Sequence, residues 1–320
     1  MDKLLHAPFP FLEQFRLHHH PANTNKKADE SFLRLEKLFL SIFEIGLFET
    51  YSFIYSRCKD EHDFKAWLID LKGAEFYLHA VVQFNLSTSV TGRLEKKHSD
   101  DPLSLVQHDF WKQQGYLKIE QLVSEADCDA VCDFICHHLG ISLADPATWY
   151  PEHQLIQGMM VQFYQGKEIE MIRKNEKIRQ VFASLYGSEQ IYPNTEKVSY
   201  NPPVTGSHFF SGSPLHWDID FTTGPAYYIQ GLVYLNDVPA NRGAFSLIPG
   251  FQHEIDTYLR QYEDPQQAIL ALRDKGLEQF IPGKKGDLIV WQQALPHAAT
   301  PNRSDLPRFV QYVSFIKDSE

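Results

Sequence analysis

Pro214-Leu215-His216-Trp217-Asp218-Ile219-Asp220 is the stretch on which the reading of this chain turns. Side chains alternate faces along an extended strand, so His216 and Asp218 point one way and Trp217 the other. An imidazole and a carboxylate aimed at one point supply two members of a two-His-one-carboxylate facial set. Such a set leaves coordination positions open on a non-haem Fe(II). A third ligand is available downstream in Leu295-Pro296-His297. Eleven residues further on, Arg308 opens the apolar run Arg308-Phe309-Val310-Gln311-Tyr312-Val313-Ser314-Phe315. A guanidinium there can hold a dicarboxylate through two parallel hydrogen bonds. His-x-Asp alone is weak in a chain with 15 histidines; the ordered set carries the weight. Asp220 competes with Asp218; the His-x-Asp spacing gives Asp218 the same face as His216. His208 and His253 are the rivals for the distal ligand.

With 320 residues, 43% of them hydrophobic and 13% aromatic, the chain can bury a large catalytic domain and still carry an extension. A formal net charge of −11 argues against a broad nucleic-acid surface, which needs clustered Lys and Arg. No apolar run approaches the ~20 residues of a membrane helix. Residues 38–54 come nearest and are interrupted by Glu44 and Glu49. The start carries Asp2, Lys3 and His6 and has no signal-peptide apolar core. We read a cytoplasmic protein acting on a small molecule, with neither nucleic acid nor membrane as partner. Four cysteines do not make a disulfide scaffold at this length.

In chain order, residues 1–30 read as irregular, with His18-His19-His20 as a solvated loop. From a Ser31 cap, Phe32, Leu35, Leu38, Phe39, Ile42, Phe43, Leu47 and Tyr51 follow helical steps. A second helix starts near Asp60 or His62 and stops at Gly73; a third apolar stretch spans 74–86. This helical layer, 1–98, is either outer packing, a substrate lid or a homodimer surface. The polar stretch 87–103 is the best linker in the chain, and 99–320 is the catalytic domain. Ser124 and Gly140 bound a helix on which Cys128, Cys132 and Cys136 recur every four residues, read as a buried stripe rather than a metal site. Helices follow at 167–177 and 177–186. From about Ile191 short β-branched and aromatic runs take over, bounded by Gly, Pro and Asn and broken by a helical insertion, Ile255 to Leu277. The expected fold is α+β: a double-stranded β-helix (jelly-roll, cupin-like) barrel over about 191–320, with the helical extension and surrounding helices.

Four pieces in this order resemble the phytanoyl-CoA dioxygenase family of Fe(II)/2-oxoglutarate-dependent oxygenases. They are His216-Trp217-Asp218; Asn241-Arg242-Gly243-Ala244-Phe245-Ser246-Leu247-Ile248-Pro249-Gly250-Phe251-Gln252-His253; Gly286-Asp287-Leu288-Ile289-Val290-Trp291; and Pro296-His297 leading through Pro301-Asn302-Arg303-Ser304 to Arg308. Phe110-Trp111 to Leu117 looks like the usual opening of the family. The resemblance implies Fe(II) on His216, Asp218 and His297, with 2-oxoglutarate as co-substrate against Arg308, and O₂. It also implies hydroxylation of an unactivated C–H bond of a small metabolite; an intact Asp218 argues against halogenation. The Ser that commonly supports the co-substrate two residues past the distal His is here Ala299, with Thr300 beside it. Gln230, Tyr234, Tyr312 and Tyr200 are the further candidates for co-substrate contact. Trp291 is expected to fill the barrel. Two other readings stand beside this one, a non-catalytic cupin-like binding or sensing protein and an oxygenase acting on protein side chains.

Overall fold

The computed structural model describes residues 8–23, 28–88, 101–210, 212–221, 224 and 226–317. The stretch read as a linker, 87–103, falls largely outside them. Two compact units emerge: Met1–Lys97, Ser188–Thr195 and Ile316–Glu320 form one, and His98–Gly187 with Glu196–Phe315 the other. Among the described residues no single helix is long and apolar enough to cross a membrane.

The smaller unit is a phenylalanine-rich helical layer. Residues 10–19 are not irregular: α1 spans Pro10–His19, with Pro10 in the first helical turn, where its missing N–H costs nothing. Phe11, Leu12, Phe15 and His19 form its buried face. The long helix expected from Ser31 is two helices, α2 (Glu30–Ile42) and α3 (Leu47–Ser56). The chain bends by 98° between them, with Glu44 at φ 52°. The cap of α2 is Asp29, whose carboxylate accepts from the Phe32 N–H. Helix α4 (Glu61–Lys72) starts on Asp60 and ends at Gly73, as its sequence predicts, and α5 spans Ala74–Thr88. The rings of Phe15 and Phe39, and of Phe11 and Phe84, each meet at 5.0 Å between centroids. The three histidines are not a solvated loop either: His19 is buried, its Nε2 2.6 Å from Glu36 Oε1, and His18 packs on Phe32.

The larger unit holds two antiparallel sheets flanked by helices. Helix α6 (Leu105–Gln114) leads into β1 (Tyr116–Ile119). Helix α7 (Glu125–Leu139) is capped by Ser124 and closed by Gly140 at φ 68°. Helices α8 (Lys167–Arg173) and α9 (Glu176–Tyr186) follow the short strands β2 (Ile156–Gln157) and β3 (Met160–Val161). Counting β4 (Ile191–Pro193) in chain order, the first sheet runs β1-β10-β7-β12-β5-β3-β2. Its members are β5 (Val198–Asn201), β7 (Ile229–Tyr234), β10 (Leu288–Gln292) and β12 (Arg308–Lys317). The second runs β6-β11-β8-β9, with β6 (Ser213–His216), β8 (Phe245–Leu247), β9 (Gln279–Ile281) and β11 (His297–Ala299). The expected insertion is α10 (Ile255–Leu259) and α11 (Pro265–Arg273). One core joins the sheets, with Leu232, Tyr234 and Trp291 from the first against Leu215, Phe245 and Leu247 from the second. No ladder links the two sheets among the described residues, so they stand as facing layers.

Candidate metal centre

Strand pairing brings the two histidines together. His297, first residue of β11, sits directly opposite His216, last residue of β6. Paired residues of an antiparallel ladder share a face, and the ring centroids are 4.5 Å apart. Asp218 lies past the end of β6, not on the strand as its sequence suggests. The turn still folds it back, with Oδ1 3.6 Å from His216 Nε2 and Oδ2 3.4 Å from His297 Nε2. One donor atom from each residue falls within 4.8 Å of the other two. Trp217 points away as expected, its indole N–H donating to the Ala294 carbonyl at 3.0 Å.

The same local device orients both imidazoles. His216 Nδ1 lies 2.8 Å from the Pro214 carbonyl, and His297 Nδ1 lies 3.1 Å from the Leu295 carbonyl. A carbonyl oxygen only accepts, so each Nδ1 carries a hydrogen and each Nε2 is the nitrogen turned to the centre. Burial and the neighbouring His297 lower the pKa of His216, which keeps it neutral. Burial alone would raise Asp218. The hydrogen bond and charge of His297, the Gln230 amide and His216 outweigh it and hold the carboxyl well below the usual range. Asp218 is thus an anion between two imidazoles that turn their Nε2 toward it, the donor set that suits a divalent iron with open positions.

A relay from the first sheet fixes the carboxylate. The Trp291 indole N–H donates to Gln230 Oε1 at 3.1 Å, and Gln230 Nε2 donates to Asp218 Oδ2 at 2.8 Å. Trp291 and Gln230 are cross-strand partners on β10 and β7. Gln293 anchors the Asp218 backbone carbonyl. Trp291 therefore fills the core, as predicted, and also sets which end of the Gln230 amide faces Asp218. That second role has no local signature in the sequence.

The three residues border a cavity of about 180 Å³ lined from both sheets. Phe245 and Ala299 contribute from the second sheet, Gln230 and Tyr312 from the first. Arg308, in contrast, is 1% exposed and does not line the cavity. Its terminal nitrogens donate to the Gly243 carbonyl and, at 3.1 Å, to Ser199 Oγ. Its Nε is buried with no partner, and so are both amide atoms of Asn201, its cross-strand neighbour. A buried guanidinium and amide with unmet hydrogen-bonding capacity fit the distal carboxylate of a 2-oxo diacid. Asn201 escaped the sequence reading, because an Asn ending an apolar strand looks like a turn residue.

Three expected contacts go elsewhere. The Tyr200 hydroxyl donates to the Trp149 carbonyl at 2.9 Å. The Tyr234 hydroxyl donates to the Ile281 carbonyl at 2.8 Å and accepts from the Phe245 N–H. Thr300 Oγ1 donates to the Ala244 carbonyl at 3.2 Å. All three hydroxyls are engaged by backbone carbonyls, because a buried hydroxyl must find a partner and these are nearest. The rival histidines are also distant from the cluster: His253 sits on the Lys112 carbonyl and His208 packs on Tyr150.

Residues 111–310 match the sequence profile of the family described as phytanoyl-CoA dioxygenase (PhyH). The chain belongs to the phytanoyl-CoA dioxygenase family. That family is one of Fe(II)/2-oxoglutarate-dependent oxygenases, and these are its cofactor and co-substrate. A Dictyostelium discoideum protein named for phytanoyl-CoA dioxygenase is 20% identical over 265 residues, which is 66% of this chain and 75% of its own. The non-haem α-ketoglutarate-dependent carbocyclase SnoK from nogalamycin biosynthesis superposes with TM-score 0.51 at 18% identity, covering 69% of this chain and 87% of its own. EctD from S. alaskensis, solved with 2-oxoglutarate and 5-hydroxyectoine, gives TM-score 0.51 at 18% identity, covering 70% and 79%. At these identities the likeness is one of fold.

Proposed function

We propose that this member of the phytanoyl-CoA dioxygenase family hydroxylates an unactivated C–H bond of a small metabolite, with His216, Asp218 and His297 holding Fe(II). The observation that carries the reading is the convergence of one carboxylate and two pre-oriented imidazoles on a cavity reached from both sheets. On the same reading Arg308, with Asn201 beside it, holds the distal carboxylate of 2-oxoglutarate, and Tyr312 walls the co-substrate. The two facing sheets are the halves of a double-stranded β-helix. Residues 99–320 carry the chemistry and 1–98 supply the helical layer.

Held by His216, Asp218 and His297, iron with 2-oxoglutarate and O₂ would supply the oxidant for the C–H bond, one oxygen atom going to the substrate and the other to succinate as CO₂ leaves. The chain's own contribution is orientation and exclusion of water. The Pro214 and Leu295 carbonyls fix the two imidazoles, and Gln230 fixes Asp218. Phe245 and Trp291 keep the wall dry.

Anaerobic titration with Fe(II) and 2-oxoglutarate tests this. A chelated 2-oxo acid on an Fe(II) site with open positions gives a visible metal-to-ligand charge-transfer band. The band is expected in the wild type and lost in His297→Ala. Iron binding without the band in the wild type would instead identify a non-catalytic binding protein.

A further inference from the structure

Strand β6 leaves the regular ladder where it passes Ala299. His216 pairs with His297, so a regular antiparallel ladder would set Pro214 across from Ala299, but Ser213 stands there instead. One extra residue of β6 thus faces β11, which is a bulge. Pro214 is its cause, because a residue without an N–H cannot donate to a ladder and is tolerated at a bulge. Bulges re-aim the neighbouring side chain. This one turns Ser213 to the face of His216, and the two border the cavity together.

Among the described residues three side-chain hydroxyls line that cavity, those of Ser213, Tyr312 and Ser314. Ser314 Oγ donates to Glu196 Oε1 at 2.7 Å, and the Tyr312 hydroxyl lies beside Arg308 and Ser199. Ser213 differs from both. Its Oγ is 3.4 Å from His216 Nδ1, and that nitrogen gives its hydrogen to the Pro214 carbonyl at 2.8 Å. A protonated Nδ1 cannot accept, so the Ser213 hydrogen has no acceptor among the described residues. Strand β11 offers no rival hydroxyl. Position 299 is alanine, and Thr300 Oγ1 is taken by the Ala244 carbonyl.

The surroundings say which group Ser213 can reach. It contacts His216 at Nδ1, while Nε2 is the nitrogen turned to the metal centre, so a chelating oxygen belongs elsewhere. Arg308 is close by. Met159 lines the same cavity, and its Sδ lies 3.6 Å from a terminal nitrogen of Arg308. The backbone of Thr300 separates the two residues. A Cβ on Gly212, which precedes Ser213, would lie 2.9 Å from the Thr300 carbonyl carbon, and one on Gly243 would lie 3.1 Å from the Thr300 carbonyl oxygen. Gly243 is the residue whose own carbonyl accepts from Arg308.

We propose that Ser213 donates its hydroxyl hydrogen to the distal carboxylate of 2-oxoglutarate, so that β6 completes the grip that Arg308 makes from β12. This rests on the oxygenase reading above. It makes the bulge a binding device on the strand that carries His216, and the hydroxyl comes from across the ladder because β11 has alanine at 299.

The test is anaerobic calorimetry of the full-length protein loaded with Fe(II), using two ligands of equal chain length. One is 2-oxoglutarate; the other is 2-oxopentanoate, in which a methyl stands in place of the distal carboxylate. Hydrogen bonds to charged groups are among the stronger ones, so Ser213→Ala should weaken 2-oxoglutarate about tenfold and leave 2-oxopentanoate and Fe(II) itself within about twofold. An unchanged 2-oxoglutarate affinity would overturn the proposal. So would an equal loss for both ligands, or a matching loss of Fe(II), because Ser213 would then act through His216 or the fold. Where 2-oxopentanoate binds too weakly to read, the Fe(II) affinity is the control. Should Ser213→Ala not fold, Ser213→Cys takes its place, similar in size with only a weak S–H donor. The same selective loss is expected of it, and an equal loss or none overturns. A wild type that binds neither 2-oxo acid overturns the oxygenase reading and the Ser213 assignment with it. A wild type that binds 2-oxoglutarate beside an unselective variant overturns the Ser213 assignment alone.

Discussion

At the scale of the residue, the donors and their supports separate into distinct experiments. His216→Ala and Asp218→Ala should each abolish iron-dependent 2-oxoglutarate turnover, and retained succinate formation in either would sink the ligand assignment. Gln230→Leu leaves all three donors in place but frees Asp218. Outer partners of metal ligands typically contribute about 10–100-fold in metal affinity or activity, and iron titration of this variant should show a loss in that range. Arg308→Lys keeps a charge but removes the planar fork. It should raise the 2-oxoglutarate concentration for half-maximal turnover at least tenfold with iron affinity unchanged. The convergence of His216, Asp218 and His297 was legible in the sequence because each belongs to a spaced motif. Gln230 was legible only as an inward position on a strand. Asn201 and the indole of Trp291 were not, because their roles arise from pairing with strands far away in the chain.

At the scale of the element, the close approach of β6 to β11 depends on a residue with no side chain. Gly212 has φ +84°, and a Cβ there would lie 2.2 Å from the Ala299 carbonyl oxygen. Backbone on the far side cannot swing away as a side chain can. Gly212→Ala should therefore cost about 1–3 kcal/mol in urea denaturation. Because β11 carries His297, iron affinity should fall as well. The helices whose ends the sequence announces, α4 and α7, came out at their caps. Helix α1 and the break between α2 and α3 did not, for the reason that neighbouring phenylalanines dominate both places. Ten residues of α1 are too few for a clear period, and the apolar run through Phe43 hides a turn that is buried rather than exposed.

At the scale of the whole molecule, the cysteine stripe on α7 is packing. Cys128 and Cys132 are buried, and burial pushes the Cys128 thiol up to about 12. Both thiols stay protonated at pH 8, and thiolate is the reactive form. Iodoacetamide at pH 8 should leave them intact in the native protein and modify them in urea, as mass spectrometry of tryptic peptides would show. The smaller unit carries a different consequence. Its helices α2 and α5 are tied to residues much later in the chain: Ser41 Oγ donates to Asn194 Oδ1 at 2.9 Å, and the Ser87 and Tyr192 hydroxyls meet at 2.8 Å. During synthesis the first five helices leave the ribosome well before Ser188–Thr195 exists. The first segment made is thus among those that must wait for their partners, and its apolar rings need shelter while translation runs on.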